Sequence, residues 1–279
     1  MIQPVYTLLC KRDLEMALIT LPRIVQFLSP EQEFIVVDDG SFDKVTTDRV
    51  REISTQIKVI VREEREEIIV SQLANYPNCR KYRNEYGPAF KLLDIPLLAK
   101  ETHTRFCYTD SDIIYIKNCE DYFNRNENTY LRTDAIKLSV KLSKALFKYK
   151  WAIPYKFNSG YFSFDCKDYD LDLIEYFVSR DDVRNISWVT EQTGWALQFG
   201  QSGAAYCPNE EQFVCREHFD GPTTETLAIH LIANLKGKVQ EWSKQNDNKS
   251  EAIKPNFEKS RNVSLSDWVQ KSVKRFIRY

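Results

Sequence analysis

The chain has 279 residues, 43% of them hydrophobic and 13% aromatic, enough for one large domain or a domain with an appendage. Its 39 Lys and Arg nearly balance 40 Asp and Glu, so no wholesale binding of nucleic acid is expected. No run approaches the roughly 18 apolar residues of a membrane span, and the first twenty residues carry charge from Lys11 onward with no small-residue cleavage site.

In chain order, "PVYTLLC" reads as a strand and "LEMALITLPRIVQFL" as an amphipathic helix. "EFIVVDDGS" is a continuous apolar run ending on Asp38, Asp39, a glycine and a serine, as central parallel strands covered on both faces do. "IKVIV" repeats that signal, and "GPAFKLLDIPLLAK" opens a helix with proline in its first turn. "RFCYTDSDIIYI" follows as a buried strand carrying Asp110 and Asp112. The first 116 residues therefore alternate strand and helix, the pattern of an α/β protein with a mostly parallel central sheet flanked by helices. In the second half "TYLRTD", "NSGYFSFD" and "AAYCP" are short strands with longer connections.

Cysteines at 10, 79, 107, 119, 166, 207 and 215 are odd in number and form no CxxC. Reduced thiols and a cytoplasmic location are expected. The sequons at Asn185, Asn248 and Asn262 are then accidental. From Glu241 the tail carries nine Lys or Arg against five Asp or Glu, with residues 243–262 polar and loosely ordered. Ser264 and Asp267 start a last helix, with Trp268, Val269, Val273, Phe276 and Ile277 on one face and Lys271, Lys274, Arg275 and Arg278 around it. Such a helix either docks on the preceding domain, expected over residues 1–240, or lies peripherally on an anionic membrane.

Both acidic pairs sit where open parallel sheets bind ligands, outside the carboxyl ends of strands. The chain has eight glycines and no GxGxxG, no GxxxxGK[ST] and no GxSxG, so no glycine-rich loop cradles a phosphate. A divalent cation on Asp110 and Asp112 would neutralise such a ligand instead, and carboxylates suit Mg²⁺ or Mn²⁺. The plain alternative for Asp38–Asp39 is a turn and helix cap.

"IVVDDGS" followed by "YTDSDIIY" resembles the glycosyltransferases of the GT-A fold. "FNSGYFSFD", from Phe157 to Asp165, and "IHLIANLK", with His230 six residues before Lys236, are similar to elements of glycogenin-like and bacterial lipopolysaccharide glycosyltransferases. The resemblance spans about residues 3–238. It departs from the family where Ala233 replaces a glycine and "KGK" replaces Lys-Pro-Trp. It implies a GT-A, Rossmann-like catalytic domain over 1–240 with a helical tail. It implies a nucleotide-sugar site, most simply for a UDP-sugar, at Asp38, Asp39, Asp110, Ser111, Asp112, Asn158, Ser159, Gly160 and Lys236. It implies Mn²⁺ or Mg²⁺ on Asp110, Asp112 and His230, with Lys236 on the pyrophosphate. Glu191 and Gln192, in "TEQTGW", fall at the acceptor side. There Glu191 would be the base of an inverting enzyme, or the Glu191–Gln192 pair would stand near the sugar's back face in a retaining one, the outcome the motif match favours. The acceptor, whether saccharide, lipid-linked or protein, is not encoded in any motif.

Two other readings stand beside this one. A nucleotidyltransferase of related fold would need a glycine-rich loop after the first strand, where "LLCKRDLEMAL" has no glycine. An inactive sugar-nucleotide-binding relative would not need Asp110, Asp112, His230 and Lys236 together. His103 and His218 read as structural. Arg83 and Lys91 read as solvated charges, although within reach of a phosphate or sugar. Trp151, Trp188 and Trp195 read as core residues, with stacking on a sugar face as the alternative.

Overall fold

The computed structural model describes residues 2–180, 182, 188–244 and 253–270. Strands β1 (Val5–Leu9), β2 (Phe34–Asp38), β3 (Ile57–Ile60) and β4 (Arg105–Thr109) alternate with helices α1 (Leu14–Val25), α2 (Lys44–Arg51), α3 (Arg62–Gln72), α4 (Pro77–Glu85) and α5 (Ala89–Thr102). Then come β5 (Ile113–Tyr115), α6 (Glu120–Phe123), β6 (Thr129–Arg132), β7 (Phe157–Asp165), α7 (Leu171–Val178) and α8 (Trp188–Gln201). The chain continues through β8 (Tyr206–Pro208), β9 (Phe213–Val214), β10 (Ala228–His230), α9 (Val239–Ser243) and β11 (Phe257–Lys259).

Eight strands form the central sheet in the order β11-β8-β6-β7-β4-β1-β2-β3. The β1–β2, β1–β4, β2–β3 and β6–β8 ladders are parallel, and β7 runs antiparallel between β4 and β6. Along β1 and β2 the side chains alternate between two cores, as the two-residue period of a strand requires. Tyr6, Ile35 and Val37 face α5 and α8, whereas Val5, Phe34 and Val36 face α1. A second sheet, β5-β10-β9, lies over its own apolar cluster with Leu235, Val239 and Trp242.

The run "RFCYTDSDIIYI" is two strands in two sheets rather than one. β4 ends at Thr109, where the Asp110 N–H donates to the Gly160 carbonyl (2.7 Å). Two residues later the Asp112 carbonyl accepts from Leu231 N–H (2.8 Å), which hands the chain to β10. Asp110–Ser111–Asp112 is therefore a bridge pinned at both ends.

Helix α5 is buried on nearly every side, from Ala89 through Ala99 apart from half-buried Phe90. It lies against α8 because Gly194 has no side chain: a Cβ there would stand 2.4 Å from Leu92 Cδ2. Neither charge expected to be solvated is so. Arg83 is 6% exposed and forms two 2.8 Å hydrogen bonds to Asp94, itself fully buried on α5. It also grips Glu66 at 2.8 and 2.9 Å, while Arg65 approaches Asp94 at 3.2 Å. Both guanidiniums stack on Phe90, at 4.1 and 5.0 Å from its centroid. Charges on an enclosed helix must be paired, because burial strips their water.

In the tail, residues 253–262 are ordered rather than loose. β11 extends the central sheet from β8, and Asn262 bridges to Pro154. Ser264 and Asp267 cap a helix over 265–270: Ser264 N–H donates to Asp267 (2.8 Å) and Asp267 N–H to Ser264 Oγ (3.3 Å). Trp268 packs edge-on against Phe147. Val273, Phe276, Ile277 and the four basic residues around them lie outside the described residues. No described helix is long and apolar enough to cross a membrane.

Candidate active site

Three elements meet at one rim: the carboxyl ends of β4 and β6 and the amino end of the antiparallel β7. They open a cavity of about 470 Å³. Asp110 and Asp112 enter it from the bridge, Asn158, Ser159 and Gly160 from β7, and Glu191 and Gln192 from α8. His230 and Lys236 enter from β10 and the turn after it.

Asp110, Asp112 and His230 each offer a ligand atom within 4.8 Å of the others. His230 Nε2 lies 3.1 Å from Asp112 Oδ1 and 3.6 Å from Asp110 Oδ2. Lys236 Nζ reaches Asp112 Oδ2 at 2.9 Å. Burial works against a charged His230, but Asp112 and Cys215 lift its pKa well above the usual value. Burial likewise works against the Asp112 carboxylate, and His230 and Lys236 hold it below the normal range. Gly160 makes room for the imidazole: a Cβ there would stand 2.5 Å from His230 Cε1. The Gly160 N–H is fixed by Asn158 Oδ1 at 2.8 Å.

Lys91 belongs to the site, and its reading as a solvated charge is corrected. Its Nζ donates to Asp110 Oδ1 (2.9 Å), lies 3.8 Å from Glu191 Oε1 and stands over the Tyr108 ring. Tyr108 Oη also donates to Asp110 Oδ1 (2.8 Å). Burial pulls the Lys91 pKa down, but Asp110 and Glu191 more than restore it, so the ammonium stays charged. The available signal was a lysine inside a helix too apolar to expose it.

Glu191 is 5% exposed, with Ser159 Oγ donating to Oε2 (3.1 Å) and no hydrogen bond to Oε1 among the described residues. Burial pushes its carboxyl up to about 7, against the pull of Lys91 and Ser159 and with help from Asp110. The folded pKa thus exceeds the unfolded one, and the native state binds a proton that the unfolded chain loses near pH ~4.3. This group's contribution to stability is present below that pH and is lost as pH rises towards 7. Glu191→Gln should therefore gain about 2–3 kcal/mol relative to the parent between pH 5 and 8, at up to ~1.4 kcal/mol per unit. Urea midpoints in chelator measure this, and parallel curves for the two proteins would contradict it.

Gln192 is buried, accepting from Asn158 Nδ2 (3.4 Å) and donating to the Lys137 carbonyl (3.3 Å). Of the tryptophans, Trp195 is fully buried in the core and Trp151 stacks on Tyr149, whereas Trp188 is 52% exposed at the cavity wall. Thr133, Lys137 and Glu217 also line the cavity, and no sequence motif pointed to them.

Asp38, Asp39 and Ser111 are not in the cavity wall. Asp38 Oδ1 accepts from Gly40 N–H (2.7 Å) and Phe42 N–H (3.1 Å), and Asp39 Oδ1 from Ser41 N–H (3.0 Å). Gly40 takes φ +98°, which this turn requires. The cap of α2 is Asp43, which accepts from Thr46 N–H (2.8 Å). Ser111 is buried, its carbonyl accepting from Thr20 Oγ1 (2.7 Å).

No protein-family model and no curated protein matches the chain. Solved structures do. The apo WbbM bifunctional glycosyltransferase superposes with a TM-score of 0.55 at 8% identity, over 88% of this chain and 50% of its own. The galactosyltransferase LgtC with donor and acceptor sugar analogues gives 0.53 at 13% identity, over 89% and 98%. The glycosyltransferase GlyE of Streptococcus pneumoniae gives 0.53 at 14%, over 88% and 61%. The chain thus spans half the length of WbbM and nearly all of LgtC. At these identities the similarity is one of architecture: this chain has the Rossmann-like GT-A fold of the glycosyltransferases.

Proposed function

We propose that this protein transfers a sugar from a nucleoside diphosphate, most simply a UDP-sugar, to an acceptor hydroxyl, and that it depends on Mn²⁺ or Mg²⁺. The observation that carries the reading is the gathering of Asp110, Asp112, His230, Lys236, Lys91 and Glu191 around one cavity of a GT-A fold. Two carboxylates and an imidazole form a donor set suited to Mn²⁺. A bound cation would neutralise charge on the departing diphosphate as a Lewis acid. Lys236, at the open side of Asp112, adds a second positive charge toward the same group. Lys91 pairs with Asp110 and holds its side chain at the cavity. The nucleoside would rest at the end of β2 by Asp38 and Asp39, on the far side of β4 from the cavity, so that the donor crosses the Asp110–Asp112 bridge. Asn158, Ser159 and Gly160 would then border the sugar.

Two outcomes for the anomeric centre follow from α8. Retention is favoured by Glu191 and Gln192 facing the cavity together, and LgtC, known also as an active-site Gln-to-Glu mutant, shows that a glutamine serves in an active site of this fold. Inversion is favoured by the Glu191 carboxyl near 7 and its unsatisfied Oε1, which suit a proton acceptor at neutral pH. Product anomeric configuration, read by NMR, separates them. A cytoplasmic location is part of the proposal, supported by seven free thiols, six of them buried. The acceptor, saccharide, lipid-linked or protein, is left to the variable rim.

The test is ligand-induced stabilisation. A ligand that binds only the native state protects it by mass action, by about 2.7 kcal/mol at a hundred times its Kd. UDP with Mn²⁺ should raise the melting temperature more than AMP or NAD with Mn²⁺. Equal responses to all three would contradict the reading.

A further inference from the structure

His230 is held at both of its nitrogens, and one of the two contacts is unusual. Nε2 faces the carboxylates of Asp110 and Asp112. Nδ1 lies 3.5 Å from the Sγ of Cys215, a residue 5% exposed. The placement follows from the small sheet. β9 runs parallel to β10 with Val214 opposite Ile229, so the next residues, Cys215 and His230, stand side by side. Gly160 closes the ring's other flank. Cys215 is absent from the cavity wall and cannot reach a ligand there directly.

We infer that Cys215 is a positioning residue, whose thiol fixes the tautomer and tilt of the His230 imidazole so that Nε2 is presented as a ligand to a divalent cation. The inference rests on the metal-dependent reading above. A ligating histidine needs its second nitrogen satisfied, because that bond sets which nitrogen carries the proton. A thiol both donates and accepts. It accepts from Nδ1–H, leaving Nε2 to give its lone pair to a cation. The buried Nδ1 is therefore paired while Nε2 faces Asp110 and Asp112. An apolar side chain of the same size cannot accept that bond, and serine can.

The experiment is a titration of Mn²⁺ alone followed by electron paramagnetic resonance, in which the free ion is counted without nucleotide or turnover. The parent, Cys215→Val, Cys215→Ala, Cys215→Ser and Asp112→Ala are compared, each after chelator treatment and with its melting temperature recorded. Loss of the partner should weaken Mn²⁺ binding about 10-fold or more in the Val and Ala variants, the usual cost of removing the group that orients a ligand. Cys215→Ser should bind within about threefold of the parent, and Asp112→Ala should bind none. Two substitutions guard against one failing to fold, and rescue by serine distinguishes orientation from packing. If both the Val and the Ala variant bind Mn²⁺ as the parent does, the inference is wrong while the metal site stands. If the parent itself binds no Mn²⁺, the metal-dependent reading falls and this inference with it.

Discussion

Asp112→Ala should lower donor turnover by about 10³-fold or more while leaving the protein folded. The expectation follows from how much one carboxylate organises. Asp112 contacts His230 through Oδ1 and Lys236 through Oδ2, and it shares the candidate cation site with Asp110. Its removal takes away a ligand and frees Lys236 from its place. Losing one preorganised stabiliser of developing charge costs about 10²–10³ in turnover, and here two are lost together. The fold should survive because Asp112 is held from its backbone, through its carbonyl and Leu231 N–H, which the substitution keeps. Turnover measured beside the thermal midpoint checks both halves. Turnover within tenfold of the parent in a folded variant would remove Asp112 from the site.

Asp94→Ala should have the largest effect on stability, about 3–5 kcal/mol. Asp94 is fully buried, and Arg83 and Arg65 both converge on it. Without it the only carboxylate left near Arg65, 1% exposed, is that of Glu66 at a distant 3.7 Å, beside its hydrogen bond to the uncharged Asp38 carbonyl. An uncompensated buried charge is what makes such a loss severe. Glu66→Ala is the comparison: its side chain is 32% exposed, so water can replace it at Arg83 and the loss should be much smaller. Urea denaturation of the two variants orders them, and equal losses would show that the network is not centred on Asp94. The same substitution should disturb the site, because Asp94 lies on α5 one turn from Lys91.

The alternating first half and the short strands of the second were legible because apolar runs and turn residues mark them directly. Helices α3 and α4 were not. "REEREEIIVSQ" buries only Arg65 and Ile69, and "PNCRKYRNE" buries Cys79, Tyr82 and Arg83, so neither shows an apolar stripe. Their inward faces are partly charged and become readable only with Asp94 opposite. The split of "RFCYTDSDIIYI" was hidden for another reason: both halves are apolar, and the change of sheet is made by hydrogen bonds to Gly160 and Leu231, distant in sequence. Asp110, Asp112, Asn158, Ser159, Gly160, Glu191, Gln192, His230 and Lys236 could be named from motifs, and all of them line one cavity. Lys91 and Cys215 could not, because what they do depends on what stands across from them. The tail reading missed β11, whose "FEK" is too short to carry a period.

This cavity is proposed to cleave a nucleotide sugar with the help of a divalent cation. The most direct test is mass spectrometry of a panel of nucleotide sugars incubated with the protein in Mn²⁺ and, separately, in excess EDTA. Nucleoside diphosphate should be released from at least one donor, most simply a UDP-sugar, with Mn²⁺ and none in EDTA. Undiminished release in EDTA, or no release from any donor while nucleoside triphosphates yield pyrophosphate, would contradict it.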